Sequence, residues 1–249
     1  MPRIDKLRVD EIIRDGYGFE LGDYISSGFN EFKKEWLLYS LYGLVAVIIM
    51  ILSLFTIVGF IFLFYPTMLG FAVASDKRQQ TGVLNFSDFF GAFKNFGSYA
   101  VVGLLVFAAY LLVYVPMFAL LGFSGIFMGD HPELGMISMF GSMIFVFLGI
   151  LLVYFVMIGL FFAPYLIHYG GYSGTEAVRA SFKLAFRNFW WLLLFVIITG
   201  VIGGIGQYLC LIGLFASMAA ASLMNYAMIK RVLMVDAFNE IDEIGNPNI

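Results

Sequence analysis

Long uncharged stretches alternate with short charged ones along this chain. Trp36–Ser75, Asn95–Gly129, Leu134–Thr175 and Phe189–Ile229 contain no Asp, Glu, Lys or Arg. A helix rises 1.5 Å per residue and a bilayer's hydrocarbon core is ~30 Å thick, so about 20 apolar residues make one crossing. The first and last stretches are long enough for two crossings, with natural breaks near Phe55–Phe60 ("FTIVGF") and Gly206–Cys210 ("GQYLC"). The middle two supply one crossing each. The pattern predicts an all-α, polytopic membrane protein with six transmembrane helices arranged as three hairpins.

The segment before each hairpin has helical periodicity of its own. Leu21, Tyr24, Ile25, Gly28, Phe29, Phe32 and Trp36 fall on one stripe. Phe86, Phe89, Phe90 and Phe93 make a second, and Val178, Phe182, Ala185, Phe186 and Phe189 a third. Such spacing predicts amphipathic helices. Ser173 with Glu176 reads as a capping box, and Asn85 with Asp88 resembles one. Aromatic rings beside Lys or Arg suit a helix lying in the headgroup region. Phe89, Phe93, Lys94, Arg179, Phe182, Lys183, Phe186 and Arg187 are therefore candidate membrane-surface residues, with anionic lipid headgroups as partners. "FFGAFKNFGS" (Phe89–Ser98) and "LAFRNFWW" (Leu184–Trp191) write nearly the same junction twice. The chain divides into a cytoplasmic segment 1–17, a membrane domain 18–232 with pseudo-repeats near 18–75, 84–168 and 173–231, and an acidic tail 233–249. Shared physics accounts for the repeat as well as duplication does, because the chain holds 29 Phe.

Composition and charge sharpen this picture. The chain is 61% hydrophobic and 12% charged, with mean hydropathy +0.93, against about 25% charged in a soluble domain. With both ends on the cytoplasmic side, all 14 Lys and Arg fall in cytoplasmic segments, and the external loop carries Asp130 and Glu133 but no cation. This is the positive-inside pattern. A net charge of −3 with no basic run argues against nucleic acid. The N-terminus alternates charges and lacks the apolar core of a cleaved signal peptide. The single Cys210 allows no internal disulfide and is expected to pack as a small hydrophobe in the bilayer.

Candidate chemistry is sparse. No metalloprotease, nucleophile-elbow, P-loop or dinucleotide motif occurs. No catalytic, cofactor-binding or metal residue is assigned. His131 beside Asp130 and Glu133 reads first as an acidic turn, and His168 as an interface anchor. Asn225 and Tyr226 are expected to bond across helices. Pro116 and Pro164 are expected to kink the third and fourth spans. Gly200 with Gly204, and Ala216 with Ala220, form small-x-x-x-small pairs that predict close helix packing, within the bundle or in a homodimer seam. No Asp, Glu, Lys or Arg lies inside a predicted span, which counts against an ion-driven transporter.

The Glu176–Lys183 helix ("EAVRASFK"), the "NFWW" junction at Asn188–Trp191 and the closing "NYAMIK" at Asn225–Lys230 resemble a group of bacterial six-span proteins. That group is related to the membrane domain attached to some glycerophosphodiester phosphodiesterases. The resemblance implies the topology and a bacterial inner-membrane location. No phosphodiesterase domain is present, so no catalytic residue carries over. The expected function is a non-enzymatic accessory or scaffold subunit packing beside another membrane protein, in biogenesis or secretion. The alternative is a lipid-handling or small-hydrophobe transporter.

Overall fold

The computed structural model describes residues 4–127 and 131–234. Asp130, the Cys210 side chain and the acidic tail beyond Met234 lie outside the described residues. The chain is all-helical. Its α-helices are α1 (Lys6–Asp15), α2 (Leu21–Lys34), α3 (Trp36–Leu54), α4 (Ile57–Thr81), α5 (Phe96–Phe127), α6 (Pro132–Gly159), α7 (Ala163–Gly170), α8 (Gly174–Arg187), α9 (Phe189–Ile205) and α10 (Cys210–Leu233). Two 3-10 helices, Phe86–Asn95 and Gly206–Leu209, complete the order. Among the described residues the extended pairing is one isolated bridge, Ile4 to Met234.

Four stretches among the described residues are long and apolar enough to cross a membrane: Trp36–Ser53, Phe96–Ile126, Pro132–Gly170 and Phe189–Tyr208. The first long tract breaks where its sequence suggests. Phe55 and Thr56 interrupt the helix, and the Thr56 hydroxyl caps α4 by accepting from Gly59 N at 3.1 Å. The last tract breaks at the 3-10 turn Gly206–Leu209, and α10 returns along α9.

The third tract departs from expectation. Rather than a kink at Pro164, the helix stops at Gly159 and restarts at Ala163, with Pro164 in the first turn of α7. Proline fits there because a first-turn N–H has no helical partner to lose. The break is stitched by α8. Ser181 Oγ donates to Gly159 O at 2.6 Å and accepts from Phe162 N at 3.1 Å. A buried hydroxyl thus satisfies backbone groups that the interruption leaves open.

The N-terminal segment is part of this packing. Val9 and Ile12 of α1 are buried, α1 contacts α8, Ile4 N donates to Tyr169 O at 3.2 Å, and Asn188 Nδ2 donates to Tyr17 O at 2.6 Å. Two cores result. One gathers Ile12, Phe162, Leu166, Leu184, Phe195 and Tyr226. The other stacks Tyr39, Tyr42, Phe71 and Phe89.

The amphipathic segments face this protein core more than the expectation of surface helices allows. In α2, Gly28 lies against α10, and buried Tyr24 meets Phe195 of α9 edge-on at 5.9 Å. A Cβ on Gly28 would collide with the backbone of Met224, so only glycine lets the two helices cross this closely. In the second segment Phe89 is fully buried, stacked 4.3 Å from Tyr42 and edge-on to Tyr39 at 5.7 Å. The structure therefore corrects the membrane-surface assignment at Phe89. The physical reason is that Phe86–Asn95 folds back on α4, and its aromatic stripe finds a protein surface before it finds lipid.

Candidate functional site

The polar run that ends α4, "SDKRQQ" at Ser75–Gln80, ties that helix to three other elements. Helical geometry fans successive side chains around the axis. Ser75 and Arg78, three apart, reach one face and meet Glu31 of α2. Arg78 Nε and Nη2 donate to the two Glu31 carboxylate oxygens, each at 2.7 Å. Ser75 Oγ and Tyr39 Oη each donate to Glu31 Oε1 at 3.2 Å. Lys34 Nζ stands 3.5 Å from Oε2. Glu31 is only 7% exposed, so a lone carboxylate there would be costly; the two-pronged guanidinium and two hydroxyls offset that cost. Burial pushes the Glu31 pKa up, but the Arg78 hydrogen bonds and charge, helped by Lys34 and Tyr39, outweigh it and hold the group below its ordinary value.

Lys77 points elsewhere and donates to Asp88 Oδ1 at 2.6 Å, while Asp88 Oδ2 accepts from Asn85 N at 2.9 Å. Burial alone would raise the Asp88 pKa; Lys77 and Asn85 bring it below the ordinary value. One carboxylate thus starts the 3-10 helix and anchors it to α4. Gln79 accepts from Lys230 of α10 at 2.7 Å through Oε1 and donates to Ser75 Oγ at 3.1 Å.

Asp76 is the exception in this hub. It is 3% exposed, and Gln80 Nε2, from its own helix, donates to it at 3.0 Å. Tyr226 of α10 and Tyr169 of α7 stand near, their rings stacked 6.1 Å apart. The Tyr226 hydroxyl is close enough to act on the carboxylate electrostatically, yet neither phenol makes a hydrogen bond of normal geometry. Burial raises the Asp76 pKa, and Tyr226 and Lys230 do not cancel the rise. Three carboxylates are buried around this end of α4: their cationic partners shift Glu31 and Asp88 down, while burial shifts Asp76 up.

The remaining predicted residues scatter. Lys94, Arg179, Lys183 and Arg187 are exposed. Arg187 also donates to the Arg14 carbonyl. Phe93 is half-buried between Phe90 and Phe96. Phe182 fills the space over Gly159 and stacks on Phe186, which remains exposed. The small-residue pairs split. Gly200 and Gly204 face open space, whereas Gly203 meets Ala221 and Gly206 meets Gly213 and Ser217. The intramolecular α9–α10 seam therefore uses Gly203 and Gly206, with Ala220 buried and Ala216 half-buried, instead of Gly200 and Gly204.

His168 Nδ1 lies 3.2 Å from Tyr99 Oη and its ring meets Tyr169 edge-on at 4.7 Å. His131 and Glu133 approach to 3.5 Å. Asn225 Oδ1 and Tyr226 Oη, expected to bond across helices, are buried without a hydrogen-bond partner. Among the described residues no three metal-ligating side chains come together.

Outside the hub, the largest feature is the α5–α6 hairpin. Its two helices pack mainly on each other. Only 11% of the α5 crossing is buried, against 33% for the α3 crossing. Leu112, Val115, Phe118, Phe140, Ile144 and Phe147 point outward along it. No family model, curated protein or solved structure matches this chain.

Proposed function

We propose that this is a six-span protein of the bacterial inner membrane, with both ends cytoplasmic, which serves as a non-enzymatic accessory subunit beside another membrane protein. The observation that carries the reading is the unequal packing. A polar hub fastens α2, α4, the 3-10 helix Phe86–Asn95 and α10 to one another, while the outer half of the α5–α6 hairpin holds a broad apolar surface away from them. In lipid no hydrophobic drive favours helix association, and side-chain packing decides it. A hairpin left this unpacked by its own chain has surface to give to a neighbour.

Helices α4 and α10 complete the topology as the second members of the first and third hairpins. Both run beside their predecessors, and their cytoplasmic ends carry Lys77, Arg78, Lys230 and Arg231, in keeping with the positive-inside pattern. Exposed Lys94, Arg179 and Lys183 give the cytoplasmic face its cations for anionic headgroups.

The test is purification in a mild detergent or nanodisc, with mass spectrometry of co-purifying proteins and lipids. A stoichiometric membrane-protein partner is expected. A homogeneous protein with one enriched lipid and no protein partner would overturn the accessory-subunit reading.

A further inference from the structure

Between α5 and α6 lies a half-open cleft of about 250 Å³. Tyr110, Val113 and Tyr114 form one wall, Gly149, Ile150 and Tyr154 the other. Gly149 sets its floor, since a Cβ there would strike Val113 and part the helices.

Three observations about this cleft point to one ligand chemistry. The first is depth. Tyr110 and Tyr114 sit near the middle of α5 (Phe96–Phe127), and Tyr154 near the middle of the Pro132–Gly170 crossing. Membrane tyrosines gather at the two interfaces, where water and headgroups serve their hydroxyls. With α5 and α6 crossing the bilayer as proposed above, these three stand away from both interfaces. The second is unmet polarity. The three hydroxyls are close enough to interact electrostatically, and none has a hydrogen-bond partner among the described residues. A phenol left without a partner in hydrocarbon costs on the order of a few kcal/mol. The third is the lining itself. No acidic, basic or histidine side chain borders the cleft, and the Tyr110 and Tyr114 rings lie nearly parallel, 13° apart with centroids 5.7 Å apart. The site offers donors, flat aromatic faces and no charge.

We propose that the α5–α6 cleft binds an uncharged, lipid-soluble molecule whose head carries a hydrogen-bond-accepting carbonyl, held by the Tyr110 and Tyr154 hydroxyls. An isoprenoid quinone and a neutral acyl ester share this chemistry. The absence of charge in the lining disfavours a phospholipid headgroup, whose phosphate would be stranded there. The Tyr110–Tyr114 pair suits a flat ring, through offset stacking.

The experiment is native mass spectrometry of the full-length protein released from detergent. It is titrated separately with a short-chain ubiquinone, with dioleoylglycerol and with phosphatidylglycerol. The wild type is expected to retain one equivalent of the quinone or of the diacylglycerol in saturable fashion, and which of the two binds identifies the source. Tyr110→Phe with Tyr154→Phe keeps the shape and removes the donors; it is expected to bind about tenfold more weakly, the worth of one or two hydrogen bonds. Ile150→Trp fills the cleft and is expected to abolish binding while the protein stays monodisperse, which guards against a folding defect in the double variant. Equal retention by wild type and the Phe variant, retention of phosphatidylglycerol alone, or no saturable binding of the two neutral ligands would overturn the proposal.

Discussion

The C-terminal end of α4 and the outer half of the α5–α6 hairpin are built on opposite plans. At the first, Ser75, Lys77, Arg78 and Gln79 reach three neighbouring elements through directional bonds, and two buried cores lie alongside. At the second, large apolar side chains face outward and α5 and α6 hold mainly to each other. Apolar content alone does not fix an element's position here. Position is fixed where polar groups and close glycine crossings leave one arrangement, and left open where only side-chain grease meets the surroundings.

Substitutions should expose this contrast. The largest loss is expected at the hub. Arg78→Ala would leave the Glu31 carboxylate buried without its main partner, at a cost of about 3–5 kcal/mol, read as a fall in thermal stability of the purified protein. Phe89→Ala empties the centre of the Tyr39–Tyr42–Phe71 core and should cost about 3–5 kcal/mol by the same assay. At the 3-10 turn after α9, Gly206→Ala must push against Gly213 and should destabilise by about 1–3 kcal/mol. Gly200→Ala and Gly204→Ala meet open space and should be neutral or slightly stabilising in the isolated protein. The smallest effects belong to the hairpin. Phe118→Ala and Phe147→Ala, at positions 63% and 64% exposed, should change stability by no more than about 0.5 kcal/mol. A large loss at those two positions would erase the contrast.

Glu31 and Asp76, two of the buried carboxylates, extend the same contrast to pH. Glu31 has a folded-state pKa below its unfolded value. Its contribution is therefore present above about pH 4.3 and lost as pH falls through the lower folded value. Asp76 has the opposite sign: its raised pKa means that stability is lost as pH rises through the folded value. Asp76→Asn should accordingly be neutral or stabilising at pH 7, and Glu31→Gln destabilising. Melting curves of both variants between pH 4 and pH 8 check the signs; parallel behaviour would contradict the pairing described here.

Much of the architecture was legible in the chain because its signals are local. Uncharged tracts, Thr56 at a break and Ser173 three residues before Glu176 each declare themselves within a few residues. The Glu31–Arg78 pair did not, since its partners are 47 residues apart and each reads alone as a solvated charge. Ser75, Arg78 and Gln79, spaced as one helical stripe just past an apolar run, were the available hint. The aromatic stripe around Phe89 signalled a buried face correctly, but periodicity cannot distinguish lipid from protein as the covering. For the same reason Gly200 and Gly204 looked like a seam, and only the packing of α9 on α10 shows that Gly203 and Gly206 fill that role. The tyrosines of the α5–α6 cleft come from separate helices, and nothing local in the sequence brings Tyr154 to Tyr110.

The accessory-subunit proposal requires the outer α5–α6 hairpin to meet a protein partner while the rest of the apolar perimeter meets lipid. The direct measurement is photo-crosslinking in intact cells, with benzoylphenylalanine placed at Phe118 or Phe147 on the hairpin and at Leu41 or Ile48 on α3. A discrete protein adduct from the hairpin positions, absent from the α3 positions, is the predicted result. Adducts to lipid alone at all four positions, or the same protein adduct from both surfaces, would contradict it.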